Sequence, residues 1–116
     1  MLLLTCAIFG AGAVCVASAD TVRVNTSSSG AQSNGPVVSN VLINDQANTI
    51  NSDGQFVGYM SAATNLVAND TNGVEDIFRK DVSTGETVRA SVATDGAQSN
   101  GSSSYPATSS DGRYIA

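Results

Sequence analysis

The sequence contains no histidine and no tryptophan, and its two cysteines, Cys6 and Cys15, both lie in the N-terminal segment. Without histidine there is no general base for a Ser-His-Asp triad, so the abundant serines are not read as nucleophiles. With both thiols confined to the first residues, the rest of the chain can form neither a disulfide framework nor a thiolate metal site. Basic residues are few: Arg23, Arg79, Lys80, Arg89 and Arg113 are scattered, whereas a nucleic-acid footprint needs a clustered basic face. No phosphate-cradling G-x-x-x-x-G-K-[ST] stretch occurs. Lys80 is the single lysine, and between Arg79 and Asp81 it reads as part of a solvated strand edge. The net charge of −5 serves solubility. What the chain has in quantity is Ser, Asn, Thr, Gly and Asp, which favour turns and short strands over helices.

Residues 1–19, MLLLTCAIFGAGAVCVASA, carry no charged side chain and end in Ala17-Ser18-Ala19. Small residues at the two outer positions suit signal-peptidase cleavage before Asp20, although no Lys or Arg precedes the apolar run. The rival reading is a membrane-spanning helix, since the run is about the ~20 residues that a bilayer span needs. Thr5 and Val14 precede the cysteines, where lipidation requires a small residue. The expectation is a cleaved leader and a secreted or periplasmic product with no membrane association afterwards.

Two internal repeats organise the chain beyond the leader. Thr21–Gly35, TVRVNTSSSGAQSNG, returns 66 residues later at Thr87–Gly101 as TVRASVATDGAQSNG. Asn51–Gly58, NSDGQFVG, returns 58 residues later at Ser109–Ala116 as SSDGRYIA. The unequal offsets place an insertion around Pro36–Asn44 in the first use only. In each use a half-buried strand with period two runs into a polar loop, and an Asp-Gly turn then leads to an aromatic and a β-branched residue.

Between the repeats, Ala47–Asn51 is expected as a weak inner strand and Ser52-Asp53-Gly54 as a tight turn, glycine accepting φ > 0 without a Cβ penalty. Phe56–Met60 is a continuous apolar run, expected as a strand buried on both faces. Glu75–Val82 is the third strand. Ser83–Glu86 is a turn, and Thr87–Val92 is an outer strand with its polar face, Arg89 and Ser91, towards solvent. Four short antiparallel strands in sequence describe one blade of a β-propeller. The fold class expected is therefore all-β, an antiparallel four-stranded blade in an incomplete ring. Its divisions are a leader at 1–19, an outer strand with loop and insertion at 20–46, a complete blade at 47–92, and a loop with the truncated start of a further blade at 93–116. A blade takes about 40–45 residues and a closed ring at least about four blades. The chain is accordingly expected to be a fragment or a truncated reading frame.

The pieces S-x-DG before an aromatic strand, S-x-A-T-N-L-V (Ser61–Val67), N-D-T-N-G-x-x-D-I-F (Asn69–Phe78), D-x-x-T-G (Asp81–Gly85) and V-x-x-DG-x-Q-x-N-G (Val92–Gly101) resemble the WD40-like β-propeller repeats of TolB-type propellers. Gly58-Tyr59 departs from the Ala-Phe pair usual there. The resemblance implies a binding or scaffold module and names no reaction.

The richest polar stretch is Asn69–Asp76. Read as a calcium loop from Asp70, it places Asn72 correctly, but Gly73 arrives two residues early, and Asp81 is a short substitute for the final bidentate Glu. An EF-hand is thereby excluded. A looser calcium clip of Asp70, Asn72 and Asp76 is one reading. An Asx-turn with Gly73 in left-handed geometry is the plainer one. The dipeptides Asp53-Gly54, Asp95-Gly96 and Asp111-Gly112 are explained by turn geometry, and nothing brings two of their carboxylates together as glycoside hydrolysis would need. The function expected is a non-catalytic module with a protein or glycan partner and no nucleic acid. The alternatives are a calcium-stabilised structural repeat, or the propeller part of a larger hydrolase whose catalytic domain is absent.

Overall fold

The computed structural model describes residues 3–9, 12–18, 22–35 and 50–116. The Pro36–Asn44 insertion and most of the expected inner strand lie outside them. In the N-terminal segment, β1 (Leu3–Phe9) and β2 (Gly12–Ser18) pair antiparallel, Cys6 standing opposite Cys15. Among the described residues no helix is long and apolar enough to cross a membrane.

The main sheet has three antiparallel strands, β3 (Phe56–Ser61), β4 (Asp76–Asp81) and β5 (Thr87–Arg89), in that order. Of the expected inner strand, Ile50 forms a single antiparallel bridge to Val57 on the free edge of β3. Residues 47–49 are outside the described residues. The outer strand is shorter than expected. After Arg89 the chain leaves the ladder, and Val92 bridges instead to Gln98 in its own loop.

The apolar strand FVGYM was expected to be covered on both faces, but that place belongs to β4, whose sequence DIFRKD is mostly charged. β4 lies in the middle of the sheet, and five of its six residues are buried. Both faces are covered for a reason that the repeats explain. On one face Phe78 packs across from Tyr59, ring centroids 5.9 Å apart, with Ala63 and Leu66 from the following loop. The Thr26–Gly35 loop closes over the same side. Gly35 sits so near the backbone that its absent Cβ would lie 2.9 Å from Ala63 Cα. On the other face β3 receives the C-terminal hairpin. A Cβ on Gly58 would stand 2.7 Å from Thr108 Oγ1 and 3.3 Å from Ile115 Cδ1. The ring of Phe56 fills the space that a side chain on Gly112 would need, and Gly112 is at φ +71° as well.

Both sequence repeats are repeats of structure. Thr26 bridges Gln32 as Val92 bridges Gln98, and Ile50 bridges Val57 as Thr108 bridges Ile115. Ser27 N–H donates to Ala31 O and Gly30 N–H to Ser27 O; Ala93 with Ala97 and Gly96 with Ala93 repeat these bonds 66 residues on. Asp53, Asp95 and Asp111 each accept, through Oδ1, the backbone N–H two residues ahead. The Asp-Gly pairs are therefore turns, as their sequence implies.

Among the residues whose burial is described, the buried apolar set is small: Tyr59, Ala63, Leu66, Ile77 and Phe78. Burial pushes the Tyr59 phenol up to about 12. With so few residues holding the sheet to its covering loops, each carries a large share. Phe78 is fully buried, and Phe78→Ala is expected to cost about 3–5 kcal/mol. Urea unfolding followed by circular dichroism should show the cooperative transition lost or shifted to much lower denaturant. A midpoint within the error of the wild type would contradict this account of the core.

Candidate functional site

Two charged clusters lie inside the sheet and its loops. The first is built from the stretch that reads as a calcium clip. Asp70, Asn72 and Asp76 are brought together, and the group between them is the guanidinium of Arg89. Arg89 Nη2 lies 3.5 Å from Asp70 Oδ1, and Nη1 lies 3.5 Å from Asp76 Oδ2. The side chains of all three charged residues are nearly sealed from solvent. Asn72 turns its nitrogen towards the acid, Nδ2 donating to Asp76 Oδ2 at 2.9 Å, while its oxygen accepts from the N–H of Val74. This last bond, with Gly73 at φ +70°, is the Asx-turn that the sequence suggested. Asp76 Oδ1 accepts from Ser91 Oγ at 2.6 Å, and Ser91 Oγ in turn accepts from Ile77 N–H.

Arg89 and Ser91, expected on a solvent-facing side of the outer strand, face this acid cluster instead. A buried carboxylate needs a countercharge and hydrogen bonds; Arg89 at the end of β5 supplies the first, and Ser91 just beyond it donates one of the second. The positive charge that a calcium ion would contribute comes from the chain itself. Among the described residues no three acidic, cysteine or histidine side chains converge as a metal cage requires. Burial pushes the Asp70 carboxyl up, against the pull of Arg89, and the neighbouring Asp76 adds to the rise.

The second cluster centres on Lys80. The sequence suggested a solvated edge, but the residue is 4% exposed. Its Nζ lies within 3.3 Å of five oxygens: Thr26 O and Oγ1, Ser27 O, Gly85 O and Thr87 Oγ1. An ammonium has three hydrogens, so they are shared within a closed oxygen cage. Burial pushes its pKa down. The burial has a physical reason: the central strand places Lys80 beneath the Thr26–Ser28 loop, which no local pattern in DIFRKD reveals. Next to it Asp81 caps the Ser83–Glu86 turn, its Oδ1 accepting from Ser83 N–H, Ser83 Oγ and Thr84 N–H. These bonds, led by the Ser83 hydroxyl, hold its carboxyl below the usual range. Arg79 lies over the Phe56 ring, 4.9 Å from its centroid.

The repeat loops close over both clusters. Gln98 of the second loop accepts from Arg89 Nη1 and donates to Thr71 Oγ1. Ser28 of the first loop accepts from Thr87 N–H and donates to Thr87 O, extending the edge of β5 with a side chain. A depression of about 460 Å³ lies between Ser27, Ser29, Asn65 and Ala68. Its hydroxyls are already taken, Ser27 Oγ bonding Ser29 Oγ and the N–H of Ala31. The sequence pattern places Lys80, Arg89 and Ser91 towards solvent, and the structure places all three against buried polar partners. The repeated Thr-Val-Arg carried a signal for Arg89, since it sets a cation at one register of the strand beside the acids of β4.

No family model, no curated protein and no solved structure matches this chain.

These buried charges have measurable consequences. Arg89→Met leaves two buried carboxylates without a countercharge and should cost about 3–5 kcal/mol, read from urea unfolding. Millimolar calcium should leave the wild-type melting temperature unchanged, since a ligand specific for the fold must stabilise it; a calcium-dependent rise would establish the clip. For pH the two aspartates act oppositely. The raised carboxyl of Asp70 favours its protonated form in the fold, so its contribution grows as pH falls through that raised value. The lowered carboxyl of Asp81 stabilises above its unfolded value of about 3.9 and is lost as pH falls through the lower folded one. Asp70→Asn should therefore steepen the acid-side loss of stability, and Asp81→Asn should flatten it, in urea unfolding repeated from pH 6 to about 2. Parallel profiles for both variants would refute the assignment.

Proposed function

We propose that this chain is a non-catalytic binding or scaffold module made of repeated β units of the propeller-blade type, exported after removal of its leader, with a protein or glycan partner. The observation that carries the reading is that the charges of its two buried clusters are satisfied by one another and by the chain's own oxygens. Arg89 sits between Asp70 and Asp76, and Lys80 lies in a cage of five oxygens. A catalytic group needs an uncommitted proton or lone pair within reach of substrate, and these groups hold the units together instead. The three-stranded antiparallel sheet, the Ile50 bridge on its inner edge and the recurrence of hydrogen bonds at the two offsets support the blade-like unit. The loops that remain exposed belong to the repeats, and loops on a rigid sheet are where recognition is commonly placed.

The purified chain should turn over none of a panel of chromogenic esters, glycosides, phosphoesters and peptides, and should bind saturably on peptide or glycan arrays. Turnover that co-purifies with the chain and falls in Asp76→Asn would overturn the reading in favour of an enzyme.

A further inference from the structure

The two GAQSNG loops have the same internal structure and different surroundings. In both, the serine hydroxyl donates to the carbonyl of the closing glycine, Ser33 to Gly35 at 2.6 Å and Ser99 to Gly101 at 2.7 Å. In both, that glycine's N–H returns to the same hydroxyl, at 3.4 and 3.3 Å. Gly30 and Gly96 share φ +84°. The asparagine between serine and glycine is therefore held alike by its neighbours on both sides.

The first loop is occupied. Asn34 N–H donates to Asn65 Oδ1, Asn34 Nδ2 donates to Thr64 Oγ1, and Asn34 Oδ1 accepts from Thr64 N–H, at 2.9–3.0 Å. Asn65 Nδ2 reaches back to Gln32 O at 2.7 Å. Gly35 lies against the backbone of Ala62 and Ala63 so closely that any side chain there would collide. Four hydrogen bonds and one close glycine contact thus read a short segment, two small residues followed by Thr-Asn.

The second loop offers the same groups unused. Asn100, the counterpart of Asn34, is exposed and makes no hydrogen bond with the described residues. Gly101, the counterpart of Gly35, is exposed and has nothing within 4 Å of where its Cβ would stand. Its frame is anchored: Gln98 is tied to Thr71 and Arg89, and Ser99 O accepts from Asn72 Nδ2. Because the loop is already in the bound form, little ordering cost attends binding there.

We infer that the Gln98–Gly101 loop is a preformed docking site for a polypeptide segment of the Ala-Ala-Thr-Asn type, carried by another unit of the same repeat. Gln98 O and Asn100 bind the Thr-Asn pair, and Gly101 admits the backbone of the two small residues. The inference rests on reading the chain as a binding module and names what that module binds at this loop.

The test uses the full ¹⁵N-labelled chain and a synthetic peptide of residues 59–68. Saturable shifts of the Asn100 side-chain amide and the Gly101 N–H are expected. Replacing Thr64 and Asn65 by alanine in the peptide, or making Asn100→Ala or Gly101→Val in the chain, should weaken binding at least tenfold. Asn100 and Gly101 are exposed, so these variants should fold, and unchanged wild-type-like spectra elsewhere would verify it. Absence of saturable shifts at millimolar peptide, or binding untouched by Asn100→Ala and Gly101→Val, would overturn the site. So would shifts confined to Asn34 and Gly35, which would mean exchange at the occupied loop. Failure here, with no turnover and array binding still seen, would remove this site and leave the module reading in place.

Discussion

The ammonium of Lys80 is the tie on which the described structure turns. It stands in the central strand and reaches a loop more than fifty residues earlier in the chain, at Thr26 and Ser27, together with the turn carbonyl of Gly85 and the hydroxyl of Thr87. A buried charge is costly unless every hydrogen finds an acceptor. The acceptors here come from two stretches far apart in the chain, Thr26–Ser27 and Gly85–Thr87, so the cost is offset only when both are in place. An apolar contact would tolerate a loop displaced by an ångström; this cage does not. The few apolar residues supply much of the gain from burial, and the charged cluster fixes which loop covers which face.

The same logic accounts for a central strand that reads DIFRKD. Between two covering pieces, a strand of alternating apolar residues would hold either piece equally well. The charged strand instead gives each neighbour a distinct partner. Asp76 meets Arg89 and Ser91 from β5 and the residues just beyond it, Lys80 meets the preceding repeat loop, Asp81 meets its own turn, and Arg79 lies over Phe56. The glycines complete the specificity. Gly35 and Gly58 mark where one unit's backbone approaches the next too closely for a side chain. A repeat unit is thus completed by its neighbours on both faces.

Much of the backbone was legible in the sequence. The two offsets, the Asp-Gly turns, the three strands of the main sheet and the Asx-turn at Asn72 all depend on short-range chemistry. Which residues tolerate positive φ and where apolar runs stop decide them, and most of their boundaries agree with the structure to within a residue or two, the early end of the outer strand excepted. The burial of charge was not legible. Lys80, Arg89 and Ser91 look like solvent-facing residues because their partners lie far away in sequence or across the ladder. Strand order has the same character. FVGYM is the more apolar strand, yet DIFRKD takes the centre, because the centre is decided by pairing and not by local hydropathy. Asp70, Asn72 and Asp76, the residues of the calcium reading, lie together with Arg89 between the two acids, a neighbour that comes from another strand and not from their own stretch.

One consequence of the sealed lysine concerns chemical handles. Lys80 is the only lysine in the sequence, and its amine is enclosed. In the fold, the side-chain amine of Lys80 is therefore closed to amine-directed reagents. Acylation of Lys80 can proceed only when the loop over the central strand lifts away. The rate of that addition becomes a clock for the opening of this one contact, with no engineered probe.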